Sequence, residues 1–336
     1  MLPTRFSTAF ALVLLGLVFG GADTAHAQRT PQAYFSPNGG AADATAATID
    51  KARDTIDIGM YSISTSGTIW EALKRAIDRG VVVRVVLHNA TSSNRAKAAA
   101  LGNIGAHVFR VSRTMHQKFA LIDAGTWYRR KLVNGSANWS TSADKKYSEN
   151  TVVFNRHYGV FYSFQQEFND LLASSRPISA DAADHMDPVS LNRPRAATKR
   201  RERAVFSSWN SGGSTVCADE IIDLMWGAEE SIKIDVAHFN SRQIANELIQ
   251  IHRDYPSIDI QVLVDIGEYG TSISRVKDLE AAGIDVRYKT YSMTFHHPRS
   301  QLMHHKTVIV DDTDMISGSY NWSDTAEQNN YENLIV

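Results

Sequence analysis

The sequence predicts an α/β protein of two similar halves, each built on a mixed, largely parallel sheet. Three observations lead there. The chain has 336 residues, which at roughly 150 residues per domain is room for two domains. A block returns: Met115-His116-Gln117-Lys118 leads to Asp123, and Met303-His304-His305-Lys306 leads to Asp311 at the same spacing. Helical and strand-like stretches alternate in the same order in both halves, the pattern of α/β units.

Composition narrows the class. Hydrophobic residues make up 43% and charged residues 21%, as in an ordinary globular protein. The net charge of −1 excludes a globally basic nucleic-acid coat but not a locally basic groove. The single cysteine, Cys217, allows no intrachain disulfide and reads as a small core residue.

Residues 1–27 read as a secretory signal peptide. Arg5 supplies the positive start, Phe6 to Gly21 the apolar stretch, and Ala25-His26-Ala27 a small-x-small cleavage site. The apolar stretch falls short of the roughly 20 residues of a spanning helix. A secreted or periplasmic protein is therefore expected.

The two halves read in parallel. Domain 1 spans residues 28–176 and domain 2 spans 204–336, with 177–203 as a surface linker. Each opens with a short aromatic-bearing strand, Ala33-Tyr34-Phe35-Ser36 and Ala204-Val205-Phe206-Ser207. A helix follows, then the strands Ile56–Met60 and Ile232–Val236. Ile69, Trp70, Leu73, Ala76 and Ile77 stand at helical spacing and stop at Gly80; Ile244, Leu248, Ile249 and His252 are their counterparts. Buried strands follow at Val81–Leu87 and Ile260–Val264. A third helix runs to Gly105 or Gly283, and a last strand to the repeated block. The linker is acidic at first (Asp181, Asp184, Asp187) and then basic (Arg193, Arg195, Lys199, Arg200, Arg201, Arg203). Its basic run is a solvated face or, alternatively, a contact for an anionic substrate.

Downstream of each block, Gly135-Ser136-Ala137-Asn138-Trp139-Ser140 recurs as Gly318-Ser319-Tyr320-Asn321-Trp322-Ser323, and Glu149-Asn150 as Glu332-Asn333. The first displacement is 188 residues and the later ones 183, so the first copy holds five extra residues within Ala124–Lys131. Residues two apart in a strand share a face. His116 and Lys118 would point the same way, as would His304 and Lys306, Ser136 and Asn138, and Ser319 and Asn321. The glycine before each serine allows close backbone approach. An imidazole, an ammonium, a hydroxyl and an amide suit an anionic tetrahedral centre. Lysine supplies charge to non-bridging oxygens, and the serine and amide add hydrogen bonds. A histidine attacks phosphorus or protonates a leaving oxygen, and two copies provide one for each role. Metal binding is the rival reading of His296, His297, His304 and His305. Adjacent histidines on one strand diverge, and no carboxylate stands at zinc-ligand spacing nearby, so neither a metal nor another cofactor is expected.

The doubled H-x-K-x4-D block with G-S-x-N resembles the phospholipase D superfamily over nearly the whole chain after residue 27. The resemblance implies two domains about a pseudo-twofold axis with one site at their interface. It implies His116 as nucleophile through a phosphohistidine and His304 as acid and base. Lys118, Lys306, Asn138 and Asn321 would bind the phosphate, with Ser136 and Ser319 assisting. Glu149 and Glu332 would orient the histidines. Asp123 and Asp311 complete the catalytic motif as supports, not proton carriers. Copy one continues into a helix-like stretch, Tyr158 to Leu172, that copy two lacks before Val336.

The expected substrate is a phospholipid, with headgroup hydrolysis and peripheral membrane contact. Export, the near-neutral charge and the apolar residues Tyr291, Met293, Phe295 and Met303 near the second motif favour it. A metal-independent nuclease and a non-catalytic phosphate binder are the alternatives. Two motifs in one chain make a partner unnecessary, so a monomer is expected.

Overall fold

The computed structural model describes residues 29–88, 90–192, 202–209, 215–290 and 301–336. The signal-peptide reading, His296 and His297, Tyr291, Met293 and Phe295, and the linker's basic residues up to Arg201 lie outside these residues.

In the first half the strands are β1 (Arg29–Ser36), β2 (Thr55–Met60), β3 (Val82–Leu87), β4 (His107–Arg110), β5 (Thr114–Met115), β6 (Lys118–Ile122), β7 (Lys131–Gly135), β8 (Glu149–Asn155) and β9 (Arg176–Pro177). The helices are α1 (Ala41–Ile49), α2 (Thr68–Asp78), α3 (Ser92–Asn103), α4 (Thr141–Lys145) and α5 (Tyr158–Ala173). The second half repeats the order with strands β10 (Ala204–Phe206), β11 (Ser231–Val236), β12 (Asp259–Asp265), β13 (Asp285–Lys289), β14 (Lys306–Val310), β15 (Asp314–Gly318), β16 (Asn330–Tyr331) and β17 (Asn333–Ile335). Its helices are α6 (Val216–Trp226), α7 (Arg242–Asp254), α8 (Val276–Ala281) and α9 (Asp324–Asn329).

The first sheet runs β1-β8-β7-β6-β2-β3-β4-β9 and the second β10-β17-β15-β14-β11-β12-β13. Both are mixed, but the expectation that they are largely parallel is corrected. Only β2-β3-β4 and β11-β12-β13 run parallel; all other neighbours are antiparallel. Helical crossovers join the parallel strands, whereas β6-β7 and β14-β15 are hairpins, which can only be antiparallel. The five-residue insertion sits in the first of these hairpins, where residues 123–130 connect the strands that 311–313 connect in the second half.

Helix α2 buries Ile69, Trp70, Leu73 and Ala76 on one stripe, and Gly80 beyond its end has φ 82°, the left-handed turn that glycine accepts without cost. Helix α7 buries Ile244, Leu248 and Ile251, and Ser241 Oγ caps it by accepting from the Ile244 amide. Cys217 is fully buried.

Helix α5 serves both halves. Its Phe161, Phe164, Phe168 and Leu171 cover one face of the first sheet. The Phe164 ring also meets Phe206 of β10, with centroids 4.9 Å apart. In the second sheet the equivalent face is only half-buried at Lys233, Asp235, Gln261 and Leu263.

The stretch 177–192 is not the free surface tether that its composition suggested. Strand β9 lies on the edge of β4, Phe109 opposite Pro177 and Arg110 opposite Arg176, Ala182 is buried, and Asn169 Nδ2 donates to the Val189 carbonyl. The Arg84 guanidinium, salt-bridged to Asp57 at 2.7 Å, also donates to the carbonyl of Asp187 at 2.7 Å. Backbone carbonyls that satisfy a buried cation hold this acidic strap against the sheet.

Candidate active site

The halves meet along two short backbone pairings that mirror each other. Strand β16 pairs in parallel with β5, setting Tyr331 beside Met115, and the His116 amide donates to the Tyr331 carbonyl. In the other half Ser148 bridges Met303, and the His304 amide donates to the Ser148 carbonyl. Each motif histidine is therefore registered against the residue before the opposite repeat's glutamate.

The side chains follow. His116 Nδ1 lies 2.7 Å from Glu332 Oε1, and His304 Nδ1 lies 2.9 Å from Glu149. The pairs are crossed, each histidine with the glutamate of the other repeat. The two imidazoles stand with centroids 6.5 Å apart, nearly perpendicular. Lys118 and Lys306 are each 2% exposed. Each folds back on its own histidine: Lys306 Nζ donates to the His304 carbonyl at 2.6 Å, and Lys118 Nζ donates to the His116 carbonyl.

Burial dominates the titration of this cluster. It pushes His116 down to about 4, against the pull of Glu332, and holds His304 well below the usual histidine range, where the Lys306 and Lys118 charges add to it. Burial likewise lowers Lys118 to about 8 and Lys306 to about 7, against the opposing carboxylates. The glutamates split. Burial pushes Glu149 up to about 8, opposed by Lys306 and the Ser136 hydroxyl. Glu332 feels the same burial, but His116, Lys118 and Ser319 outweigh it and hold its carboxyl below the usual range.

Ser136 and Ser319 do not line the cleft, which corrects their expected place at the phosphate. Both are fully buried. Ser319 Oγ donates to Glu332 at 2.6 Å and accepts the Asn333 amide, while Ser136 Oγ accepts the Asn150 amide at 3.0 Å. They hold the glutamates from beneath. The preceding glycines are required there: a Cβ on Gly135 or Gly318 would stand 2.3 Å from the carbonyl oxygen of Asn150 or Asn333. Asn138 and Asn321, two residues further on, are half-buried, and the Oδ1 of each has no protein partner. The tryptophan and final serine of the motif build the local frame. Trp139 and Trp322 tie the turn to the loops after β2 and β11, where Ser64 and Asn240 donate to their carbonyls. Ser140 and Ser323 cap α4 and α9.

Asp123 and Asp311, counted with the catalytic motif, stand at the far ends of β6 and β14. Five residues of strand, about 16 Å, separate each from its lysine. Asp123 has φ 51° and accepts the amides of Arg53, Asp54 and Thr55. Asp311 has φ 50° and accepts those of Glu229, Glu230 and Ser231. They fasten the turns that launch β2 and β11.

Several neighbours escaped the sequence reading. Tyr61 follows β2 and His88 follows β3, at the carboxyl ends of parallel strands where α/β proteins place ligands. That rule was the available signal. Gln117 points away from the cleft, and its Nε2 donates to Glu167 of α5 at 2.6 Å. His305 turns from His304 toward Asn150 Nδ2, 3.2 Å away. Met303, read as an apolar residue available to a lipid, is a core side chain at 1% exposure. Among the described residues no group of three or more His, Cys, Asp or Glu is arranged to hold a metal ion.

Comparison with known proteins agrees with this architecture. The model of the family described as "Cardiolipin synthase, PLD-like domain" matches residues 46–172 and again 221–336. Mitochondrial cardiolipin hydrolase of Xenopus laevis is 33% identical over 110 residues, covering 33% of this chain and 48% of that protein. A phospholipase D of Rickettsia conorii is 31% identical over 122 residues, covering 35% of this chain and 58% of its own. The chain thus spans about half the length of the curated relatives it matches. Phosphatidylserine synthase of Haemophilus influenzae superposes over 90% of this chain and 81% of its own, with a TM-score of 0.62 at 14% identity, a likeness of fold alone.

Proposed function

The chain belongs to the phospholipase D-like family, and we propose that it is a phosphodiesterase that hydrolyses phospholipid headgroup esters through a phosphohistidine. One observation carries the reading: two half-buried histidines with ring centroids 6.5 Å apart, each held by the other repeat's glutamate, with two buried ammonium groups beside them.

The split between the glutamates gives the histidines different tasks. Glu332 is ionised and accepts Nδ1–H of His116, which leaves the Nε2 lone pair free to attack phosphorus. Glu149 keeps its proton near neutrality and donates it to His304 Nδ1, which leaves a proton on Nε2. As the His116 Nε2–P bond forms and the P–O bond to the headgroup breaks, the leaving oxygen takes the Nε2 proton of His304. Glu149 passes its own proton to Nδ1. Water then attacks phosphorus as the His116 Nε2–P bond breaks, giving a proton to His304 Nε2 while Nδ1 returns its proton to Glu149, and the cycle closes. Lys118, Lys306 and the amides of Asn138 and Asn321 hold the non-bridging oxygens, and the two ammonium charges offset the negative charge that grows on them.

The lipid assignment is supported by the names of both relatives and by the net charge of −1, which offers no general attraction to nucleic acid. The N-terminal apolar stretch supports export. No helix among the described residues is long and apolar enough to cross a membrane.

The test is a paired assay in excess EDTA on residues 28–336. Phosphatidylcholine vesicles with a little primary alcohol are set beside single- and double-stranded DNA, with His116→Ala in parallel. The expected result is headgroup release with phosphatidyl-alcohol formation, absent from the variant. DNA cleavage without lipid turnover would replace the lipid reading by a nuclease. Activity that EDTA abolishes, or that survives His116→Ala, would sink the two-histidine mechanism.

A further inference from the structure

The two halves of the site differ in one layer of side chains. Met60 pairs with Lys118 in the first sheet and Val236 with Lys306 in the second, so the next residues, Tyr61 and Ala237, hold equivalent places. The ends of β3 and β12 carry His88 and Asp265 in the same way. Only the first half has rings there.

These rings form a stack against the motif. The Tyr61 ring lies edge-to-face with His116, centroids 5.1 Å apart. Lys118 Nζ is 5.6 Å from the Tyr61 centroid, within the range of a cation–π contact. His88 is stacked on Tyr61, centroids 4.8 Å apart and planes 18° from parallel. One ring therefore touches both the imidazole and the ammonium of the first repeat, and a second ring braces it. On the other side Ala237 is 2% exposed and offers Lys306 no π face. Asp265 Oδ2 is occupied by the Met303 amide at 2.8 Å.

We propose that Tyr61, braced by His88, is a positioning residue that fixes the His116 imidazole and the Lys118 ammonium and so makes the first-repeat side of the site the nucleophilic one. The proposal deepens the two-histidine reading and rests on it. A nucleophile must present its lone pair along the line of attack, and misalignment of even 1 Å is costly in rate. An edge contact from Tyr61 and a carboxylate contact from Glu332 restrain the His116 ring on two sides. Among the described residues His304 has its carboxylate contact with Glu149 and, for rings, only the more distant edge of His116 itself, centroids 6.5 Å apart. The charged and titratable groups facing Lys118 are Glu332, Glu149, His116, His304, Lys306 and His88. The π face of Tyr61 is a neutral addition that favours the protonated lysine.

The experiment uses bis(p-nitrophenyl) phosphate, whose leaving group departs without needing a proton. In His304→Ala the first release of p-nitrophenolate then reports the attack by His116 alone. Tyr61→Leu is compared with Tyr61→Phe in the wild-type chain and in His304→Ala, with thermal unfolding as a control for folding. Tyr61→Leu should slow the first release roughly tenfold or more in both backgrounds. It should also move the alkaline limb of kcat/KM in the wild-type chain to lower pH, because Lys118 loses a contact that favours its charge. Tyr61→Phe keeps the ring and should restore both within about twofold. Equal loss in the two variants would assign the effect to the hydroxyl and overturn the proposal. So would an unchanged first release in Tyr61→Leu. A wild-type chain active on diesters with an indifferent Tyr61→Leu defeats this proposal alone, whereas a wild-type chain inactive on every diester defeats the phosphodiesterase reading with it.

Discussion

Nδ1 of His116 lies 2.7 Å from Oε1 of Glu332, a residue of the opposite repeat. With the reciprocal contact of His304 and Glu149, it means that neither half holds a complete histidine–carboxylate pair by itself. The crossing is a backbone matter first, since β16 lies beside β5 and Ser148 beside Met303 before any side chain is placed. Glu332→Gln would leave the shape intact and remove the charge that keeps Nδ1–H of His116 in place. The expected loss in kcat is on the order of 10²-fold, with KM little changed. Steady-state kinetics on the preferred diester checks it, and wild-type kcat in the variant would discard the orienting role.

Asp123→Asn separates support from chemistry. The carboxylate is buried and accepts three backbone amides at a left-handed residue. The amide side chain keeps the shape but loses the charge from those hydrogen bonds, which are worth roughly 1.5–3 kcal/mol each when charged. Denaturant unfolding should register a loss of about 2 kcal/mol, while specific activity of the folded protein stays near wild type. A large fall in activity at full folding would return Asp123 to the catalytic set.

The repeat, the alternation of elements and the histidine–lysine blocks were legible because they are local patterns. Spacing puts Ile69, Leu73 and Ala76 on one face of α2, and it locates the strands at Ile56–Met60 and Ile232–Val236 whatever lies around them. The crossing of the glutamates was not legible, because nothing local to Glu332 says which histidine it will meet. Ser136 and Ser319 were misplaced for a related reason. A strand face is readable from sequence, but which side of it looks into the cleft and which onto the glutamates is set by the docking of the two halves. The parallel share of the sheets was overestimated because the helix–strand alternation governs only β2-β3-β4 and β11-β12-β13, whereas β7 and β15 return through hairpins. Tyr61 carried a usable signal in its place after a parallel strand, without a motif to mark it.

Arg84→Met tests the strap. The guanidinium is 6% exposed and salt-bridges fully buried Asp57, and it also donates to the Asp187 and His185 carbonyls. Methionine fills much of the volume but strands the Asp57 carboxylate, whose other contact is Gln165 Nε2 at 3.3 Å. Removing one partner of a buried pair costs about 3–5 kcal/mol, and that is the expected fall in unfolding free energy. Adding Asp57→Leu should recover part of it, since the double variant buries no charge. A single variant as stable as wild type would show that the strap is not held through Arg84.

The alkaline limb of activity follows from the lysines. Burial holds Lys306 to about 7 and Lys118 to about 8, both below the free lysine near 10.4. A lowered value means the proton is lost closer to neutrality, so the charge that binds the phosphate is present below these values and fades above them. The kcat/KM profile should fall as pH passes through about 7 to 8. Arginine keeps its charge beyond pH 12. Lys306→Arg should therefore carry the limb upward, even where its larger head lowers the absolute rate. Glu149, pushed up to about 8, would produce a limb in the same region by losing the proton it lends to His304. The arginine variants tell the two apart: a limb unmoved in both Lys306→Arg and Lys118→Arg belongs to the Glu149–His304 pair, and the lysine account fails.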